Sequence, residues 1–142
     1  MNPVISIVTG TLNRIEFLQS LIKNTIDSDP RLELVLVDGG SKDGTLAYIE
    51  GLNHPRITLV EVGKKSHYGH FMNLGINASK GHWICQWNDD VQLMNSWNDV
   101  FTELETDKDM YIFSKKHMYK ADMDNKRSEE RRVGWVGNIW KP

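Results

Sequence analysis

The order of apolar segments predicts an α/β domain, a mainly parallel sheet with helices on both faces. Three observations predict it. Short β-branched and leucine-rich runs alternate with stretches whose apolar residues recur at helical spacing, the pattern of βαβ units. Runs such as Leu32-Glu33-Leu34-Val35-Leu36-Val37 read as buried strands. Polar loops holding Asn13, Asp38 and Asp89/Asp90 each follow such a run. In an open sheet of this kind those loops meet at the carboxyl edge, where ligands bind.

The elements follow in order. Val4 to Val8 is a β-branched run and reads as the first strand, with residues 9–14 as a turn. Ile15, Leu18, Leu21, Ile22 and Ile26 predict a helix over 15–27, ended by Asp29-Pro30. The second strand, 32–37, stops at Asp38-Gly39-Gly40-Ser41-Lys42-Asp43-Gly44, a loop leading into a helix over 45–52. A third strand spans 57–62, and a helix covers 68–79 with Lys80-Gly81 as its stop. The fourth strand is 82–87. Trp97, Val100, Phe101 and Leu104 mark another helix, and 110–113 a fifth strand. Val133 to Trp140 is expected as an edge strand returning to the sheet, or as a strand whose partners are missing.

With 142 residues the chain forms one domain with a real core. A net charge of −2 gives no global signal for nucleic-acid binding. No apolar run reaches membrane-spanning length and no signal peptide is evident, so a cytoplasmic location is expected. The single cysteine, Cys85, excludes an internal disulfide and a Cys-based zinc site, and reads as a small buried hydrophobe. Residues 115–132 carry seven Lys/Arg against four acids, and read as a solvated loop or hairpin. The alternative for this segment is a lid, or a surface that meets phosphates or anionic lipid at the membrane periphery.

Gln86-Trp87-Asn88-Asp89-Asp90, with its two adjacent carboxylates, is the most informative stretch. Adjacent ionised carboxylates at the end of a buried strand repel each other, and leaving water adds to the penalty. A divalent cation carrying a phosphorylated ligand compensates both, and hard oxygen ligands with open positions suit Mg²⁺ or Mn²⁺. A helix cap or loop turn is the plainer explanation. The same applies elsewhere: Thr11 and Asn13 are good caps, Asp38-Gly39 is a turn signal, and Asp43 suits a local cap. His67 and His70 read as surface or satisfied histidines, and Trp83, Trp87 and Trp97 as core.

Four segments resemble the signatures of family 2 glycosyltransferases, in the expected order. Ile5-Ser6-Ile7-Val8-Thr9-Gly10-Thr11-Leu12-Asn13-Arg14 is similar to the opening strand and turn. Leu34 to Thr45 resembles the second signature, and Asn73-Leu74-Gly75-Ile76-Asn77-Ala78-Ser79-Lys80-Gly81-His82-Trp83-Ile84 the third. The last leads into an acidic motif of D-x-D type, here Asn88-Asp89-Asp90. The resemblance covers residues 4–105. It implies a GT-A fold binding a nucleotide-diphospho-sugar (UDP-, GDP- or dTDP-linked), with a carbohydrate or other hydroxyl compound as acceptor. Thr11 and Asn13 would line the nucleotide pocket, Asp38 would face the base or ribose, and His67 and Asn73 would approach the nucleotide. Asp89 would touch the ribose or the metal shell, and Asp90 would bind Mn²⁺ or Mg²⁺ at the diphosphate.

The departures are instructive. Gly10 stands for the family's usual proline, Gly39 for the second acid of a D-D pair, and Asn88 for the first acid of D-x-D. No match to the acidic motif that supplies the catalytic base is found, so the base is unassigned; the late acids are Asp122, Asp124, Glu129 and Glu130. Residues 1–114 are expected as the nucleotide-sugar-binding domain. Residues 115–142 would be a charged, tryptophan-containing extension of it, in a fragment or a minimal donor-binding domain. The expected activity is metal-dependent, inverting transfer of a sugar. The alternatives are a non-catalytic nucleotide-sugar-binding module, or a nucleotidyltransferase, which the single glycine of the first loop disfavours. A dinucleotide-dependent oxidoreductase is disfavoured by the lack of G-x-G-x-x-G.

Overall fold

A computed structural model of the chain describes residues 3–93, 96–104, 110–114 and 135–141, of 111–114 and 135–138 the backbone alone. Six strands form one sheet: β1 (Ile5–Thr11), β2 (Leu32–Asp38), β3 (Ile57–Glu61), β4 (Trp83–Gln86), β5 (Met110–Ser114) and β6 (Trp135–Trp140). Four helices accompany them: α1 (Ile15–Asn24), α2 (Thr45–Leu52), α3 (Tyr68–Ala78) and α4 (Trp97–Glu103). The strand order is β3-β2-β1-β4-β6-β5. Strands β1 to β4 are parallel, while β6 runs antiparallel to β4 and β5.

This order explains which face each helix takes. The chain steps outward from β1 to β2 to β3, then returns past β1 to β4. Right-handed crossovers put the helices of outward steps on one face and the returning helix on the other. Accordingly Leu18, Leu21 and Ile22 of α1 and Ile49 of α2 join Ile5, Ile7, Leu34 and Leu36 in one core, together with Trp97 of α4. Met72 of α3 packs with Val8, Val35 and Ile84 on the other face, with Ile76 and Trp140 beside them. Strand β2 is buried along its whole length, as a parallel strand covered on both sides is. The expected mainly parallel α/β sheet with helices on both faces is borne out.

Several boundaries differ from expectation, each for a local reason. Strand β1 continues to Thr11, into residues expected as a turn, because the β1–β2 ladder extends to Thr11↔Asp38. Helix α1 stops at Asn24 rather than 27: Thr25 leaves helical geometry and its Oγ1 donates to the Leu21 carbonyl at 2.7 Å. Helix α3 ends when Ser79 turns extended, not at a left-handed Gly81. The Lys80 and Gly81 N–H groups donate to buried Glu33 Oε1 and Ser6 Oγ instead, latching the start of β4 to the sheet. The tail strand β6 is not at the edge; it lies between β4 and β5, pairing Ile84↔Trp140 and Met110↔Trp140. The tryptophans Trp83, Trp87 and Trp97 are buried as expected, and so is Cys85, whose thiol burial pushes far above its ordinary value. The charged segment 115–132 and its late acids lie outside the described residues. No helix among the described residues is long and apolar enough to cross a membrane.

The α1–β2 turn is tied down by charge. Arg31 grips Asp29 through Nε at 3.0 Å and Nη2 at 2.8 Å, and stacks on Phe101 of α4 at 3.8 Å. That pairing lowers the Asp29 carboxyl below its ordinary value of 3.8. A lowered folded value stabilises the fold above pH 3.8 and is lost as pH falls through it. Asp29→Asn is expected to lose about 1 kcal/mol at pH 7, because Arg31 is partly solvated, and to lose less on acidification than wild type. Urea unfolding at pH 7 and pH 3 checks both.

Candidate functional site

The sheet reverses its direction of growth between β1 and β4, the neighbours from which the chain departs to opposite sides. Loops leaving such a switch point diverge and leave a crevice at the carboxyl edge. A cleft of about 510 Å³ occupies this place. The end of β1 and its loop supply Gly10, Thr11, Leu12 and Arg14; the loop after β4 supplies Asn88, Asp89 and Asp90. The far wall comes from the β3–α3 connection and α3, through Lys65, Ser66, Tyr68 and Phe71.

Asp89 and Asp90 share a wall but not an environment. Asp89 is 6% exposed, and the Thr11 hydroxyl donates to its Oδ2 at 3.3 Å. Burial pushes its carboxyl above the ordinary aspartate value; Arg14 pulls it back, and the charge of Asp90 adds to the rise. Asp90 is exposed and meets Arg14 Nη2 at 3.2 Å. Arg14 Nε lies 3.3 Å from Asp89 Oδ2, so one guanidinium spans both carboxylates. The Nε–H is not aimed at that oxygen. Among the described residues, Nε is the one buried side-chain polar atom without a hydrogen bond. The guanidinium also lies 4.4 Å from the Phe17 ring centroid.

Of the residues singled out in the sequence, Thr11, Asp89 and Asp90 meet at the cleft. Asp38 and Asn13 are placed close by but turned to the loop. Asp38 is 1% exposed and accepts from the Gly40 and Ser41 N–H groups at 2.8 Å each and from the Ser41 hydroxyl. Asn13 adopts a left-handed φ of 52°. Its N–H donates to Ser41 Oγ at 2.9 Å and its Oδ1 accepts from Lys42 N at 2.6 Å, joining the β1 and β2 loops. It does not cap α1; Asp43 does, accepting from Ile15 N at 3.0 Å across 28 residues of sequence. Gly40 holds the β2 loop against the next one: its φ is +98°, and a Cβ there would sit 2.8 Å from the Gly63 carbonyl oxygen. His67 is the extended residue capping α3 and Asn73 lies on that helix; both are exposed and neither lines the cleft.

The residues missed in the sequence are Arg14, Lys65, Ser66, Tyr68 and Phe71. Arg14 follows Asn13 in the first signature, and its charge was the available signal. The others offer no local signal, since only the placing of α3 across β1 and β2 brings them to the cleft. Phe71 spans both strand ends: Cβ atoms on Gly10 and Gly39 would lie 3.8 and 3.4 Å from its ring.

The donor set suits a hard divalent cation that brings part of its own shell. Asp89 and Asp90 offer adjacent carboxylates that already hold a cationic group, and Asn88 offers an amide oxygen. Among the described residues no cluster of three or more His, Cys, Asp or Glu stands ready to hold a metal. Two carboxylates completed by phosphate oxygens and water are the usual Mg²⁺ arrangement.

Known proteins resemble this chain in sequence and in fold. The curated succinoglycan biosynthesis protein ExoO of Rhizobium meliloti (strain 1021) is 27% identical over 89 residues, which is 62% of this chain and 26% of ExoO. The solved mannosyltransferase PcManGT from Pyrobaculum calidifontis, in complex with GDP-Man and Mn²⁺, is 18% identical with a TM-score of 0.70, over 99% of this chain and 45% of that one. S. aureus TarS 1–349 in complex with UDP-GlcNAc is 19% identical with a TM-score of 0.72, over 82% of this chain and 36% of that one. The chain thus spans a quarter of the curated relative and less than half of these two solved chains. The structural likeness establishes a shared GT-A fold. The family model for glycosyl transferase family 2 matches residues 6–140, nearly the whole sequence, and the chain belongs to that family.

Proposed function

We propose that this chain is the donor-binding part of a glycosyltransferase that moves a sugar from a nucleoside-diphospho-sugar to a hydroxyl acceptor, with inversion and with Mn²⁺ or Mg²⁺. The observation that carries this reading is the carboxyl-edge cleft where Asp89 and Asp90 meet Arg14, Thr11 bonds to Asp89, and Lys65 lines the far wall. The relatives solved with GDP-Man and UDP-GlcNAc support the donor class.

In this reading the acceptor oxygen bonds to the anomeric carbon as the bond to the diphosphate oxygen breaks. The nucleoside diphosphate leaves with the electron pair, and the acceptor proton passes to a general base. A bound divalent cation would supply Lewis-acid stabilisation of the leaving diphosphate. Asp89 and Asp90 would hold that cation, and Thr11 would orient Asp89 through its hydroxyl bond. Lys65 would add positive charge to the diphosphate side of the cleft. Asp38 and Asn13 would act at the base and ribose end, where their bonds set the shape of the β1 and β2 loops. Phe71 would give the base a flat apolar seat. His67 and Asn73 would reach the nucleotide only from the rim. No base is assigned.

Calorimetric titration with UDP, GDP and dTDP, with and without Mn²⁺, tests this reading on wild type and Asp90→Ala. Wild type is expected to bind one of the three in a Mn²⁺-dependent way, and Asp90→Ala to lose affinity by about 10–100-fold or more. Equal binding by both proteins sinks the role of Asp90; no binding of any of the three by wild type sinks the function. Binding without transfer by a chain extended past Pro142 favours the donor-binding module over the enzyme.

A further inference from the structure

The guanidinium of Arg14 sits where an incoming cation must go. It contacts both carboxylates, Nε at 3.3 Å from Asp89 Oδ2 and Nη2 at 3.2 Å from Asp90 Oδ2. We propose that Arg14 is the resident counter-cation of this pair, which a divalent metal arriving with a nucleoside diphosphate displaces, the released guanidinium then pairing with the diphosphate. This rests on the function proposed above and deepens it.

Two observations favour displacement over permanent pairing. The fork is poorly made. Aligned arginine–carboxylate pairs place two N–H groups on one carboxylate, whereas here each carboxylate receives one nitrogen, and the Nε–H is buried without a hydrogen bond. The contact therefore has little directional stabilisation to lose. Arg14 also lines the cleft itself, on the loop after β1, and rests on the half-exposed Phe17 ring. Its head can turn into the cleft without leaving a core position.

Charge counting gives the consequence. Two carboxylates and one guanidinium leave this cluster with one net negative charge, which Lys65 on the far wall balances. A divalent ion alone would leave it positive, with the ion beside an unshielded guanidinium. A diphosphate brings the missing negative charge and accepts the freed guanidinium. Metal and nucleotide therefore bind with positive coupling, each raising the affinity of the other by the same factor. An empty cleft holds metal weakly and does not trap free ions.

The test compares wild type with Arg14→Met, which keeps an apolar stem over Phe17 and removes the charge. Mn²⁺ alone, UDP, GDP and dTDP alone, and each nucleotide with Mn²⁺ are titrated by calorimetry. Arg14→Met is expected to bind Mn²⁺ alone about tenfold more tightly than wild type, the order of a typical coupling, and to show a smaller mutual enhancement between Mn²⁺ and nucleotide. Unchanged or weaker Mn²⁺ binding by Arg14→Met, with wild type still binding Mn²⁺ and nucleotide, overturns this inference alone. No binding of UDP, GDP or dTDP by wild type overturns the function and this inference together. A measurement on wild type does not depend on the variant folding. The ¹⁵Nε–H resonance of Arg14, assigned by its loss in Arg14→Lys, is expected to shift when Mg²⁺ and UDP or GDP are added. A resonance that stays in place while they bind overturns the displacement.

Discussion

Gly75→Ala is expected to destabilise the chain by about 1–3 kcal/mol, although alanine is the better helix former. A Cβ on Gly75 would lie 2.3 Å from Val8 Cγ1 and 3.1 Å from Val37 Cγ2. Val8 and Val37 are fully buried on adjacent central strands and have no room to yield. Gly75 is where the backbone of α3 comes close against Val8 and Val37, and Phe71 and Tyr68 one and two turns earlier line the cleft wall. The substitution should therefore also weaken nucleotide binding by tilting that wall. Gly69, on the same helix with nothing within 4 Å of its would-be Cβ, is the control. Gly69→Ala should be neutral or stabilising by up to about 1 kcal/mol. Urea unfolding of both variants gives the sign difference. Combining Gly75→Ala with Val8→Ala should be less damaging than the sum of the two, since the second change removes the methyl that is struck. Additive losses would mean that contact is not the cause.

Asp89→Asn is expected to separate stability from binding. Burial raises the Asp89 carboxyl above its ordinary value of 3.8. A raised folded value means the ionised form opposes folding: stability is full below pH 3.8 and declines as pH climbs through the raised value. Asparagine cannot ionise, and its amide oxygen can still accept from Thr11. Metal-free Asp89→Asn should thus be at least as stable as wild type at pH 7, with a flatter profile above pH 3.8. Its Mn²⁺-dependent nucleotide binding should fall by about 100-fold. Thermal unfolding against pH and calorimetry read the two halves independently. A variant that unfolds more easily at pH 7 would mean that the pairing with Arg14 outweighs desolvation.

The fold was largely legible because burial on both faces leaves a one-dimensional trace. The uninterrupted apolar run of β2 and the helical spacing of Leu18, Leu21 and Ile22 are read without knowing any partner. What failed was set by partners. Thr11 belongs to a strand because Asp38 pairs beside it, and α1 stops at a hydroxyl bond from Thr25. β6 sits inside the sheet because β4 and β5 both pair with it.

By itself, the sequence determined the alternation of strands and helices, the carboxyl-edge position of the polar loops and the acidic pair, since periodicity and chemical type are local properties. Only the tertiary structure decided that Arg14 spans Asp89 and Asp90, that Asp38 and Asn13 spend their polar atoms on Ser41 and Lys42, and that α3 brings Phe71 and Tyr68 to the cleft. Electrostatic pairing and helix placement depend on distances between segments far apart in the chain, and those distances exist only once the crossover to β4 has folded α3 over Val8 and Val37.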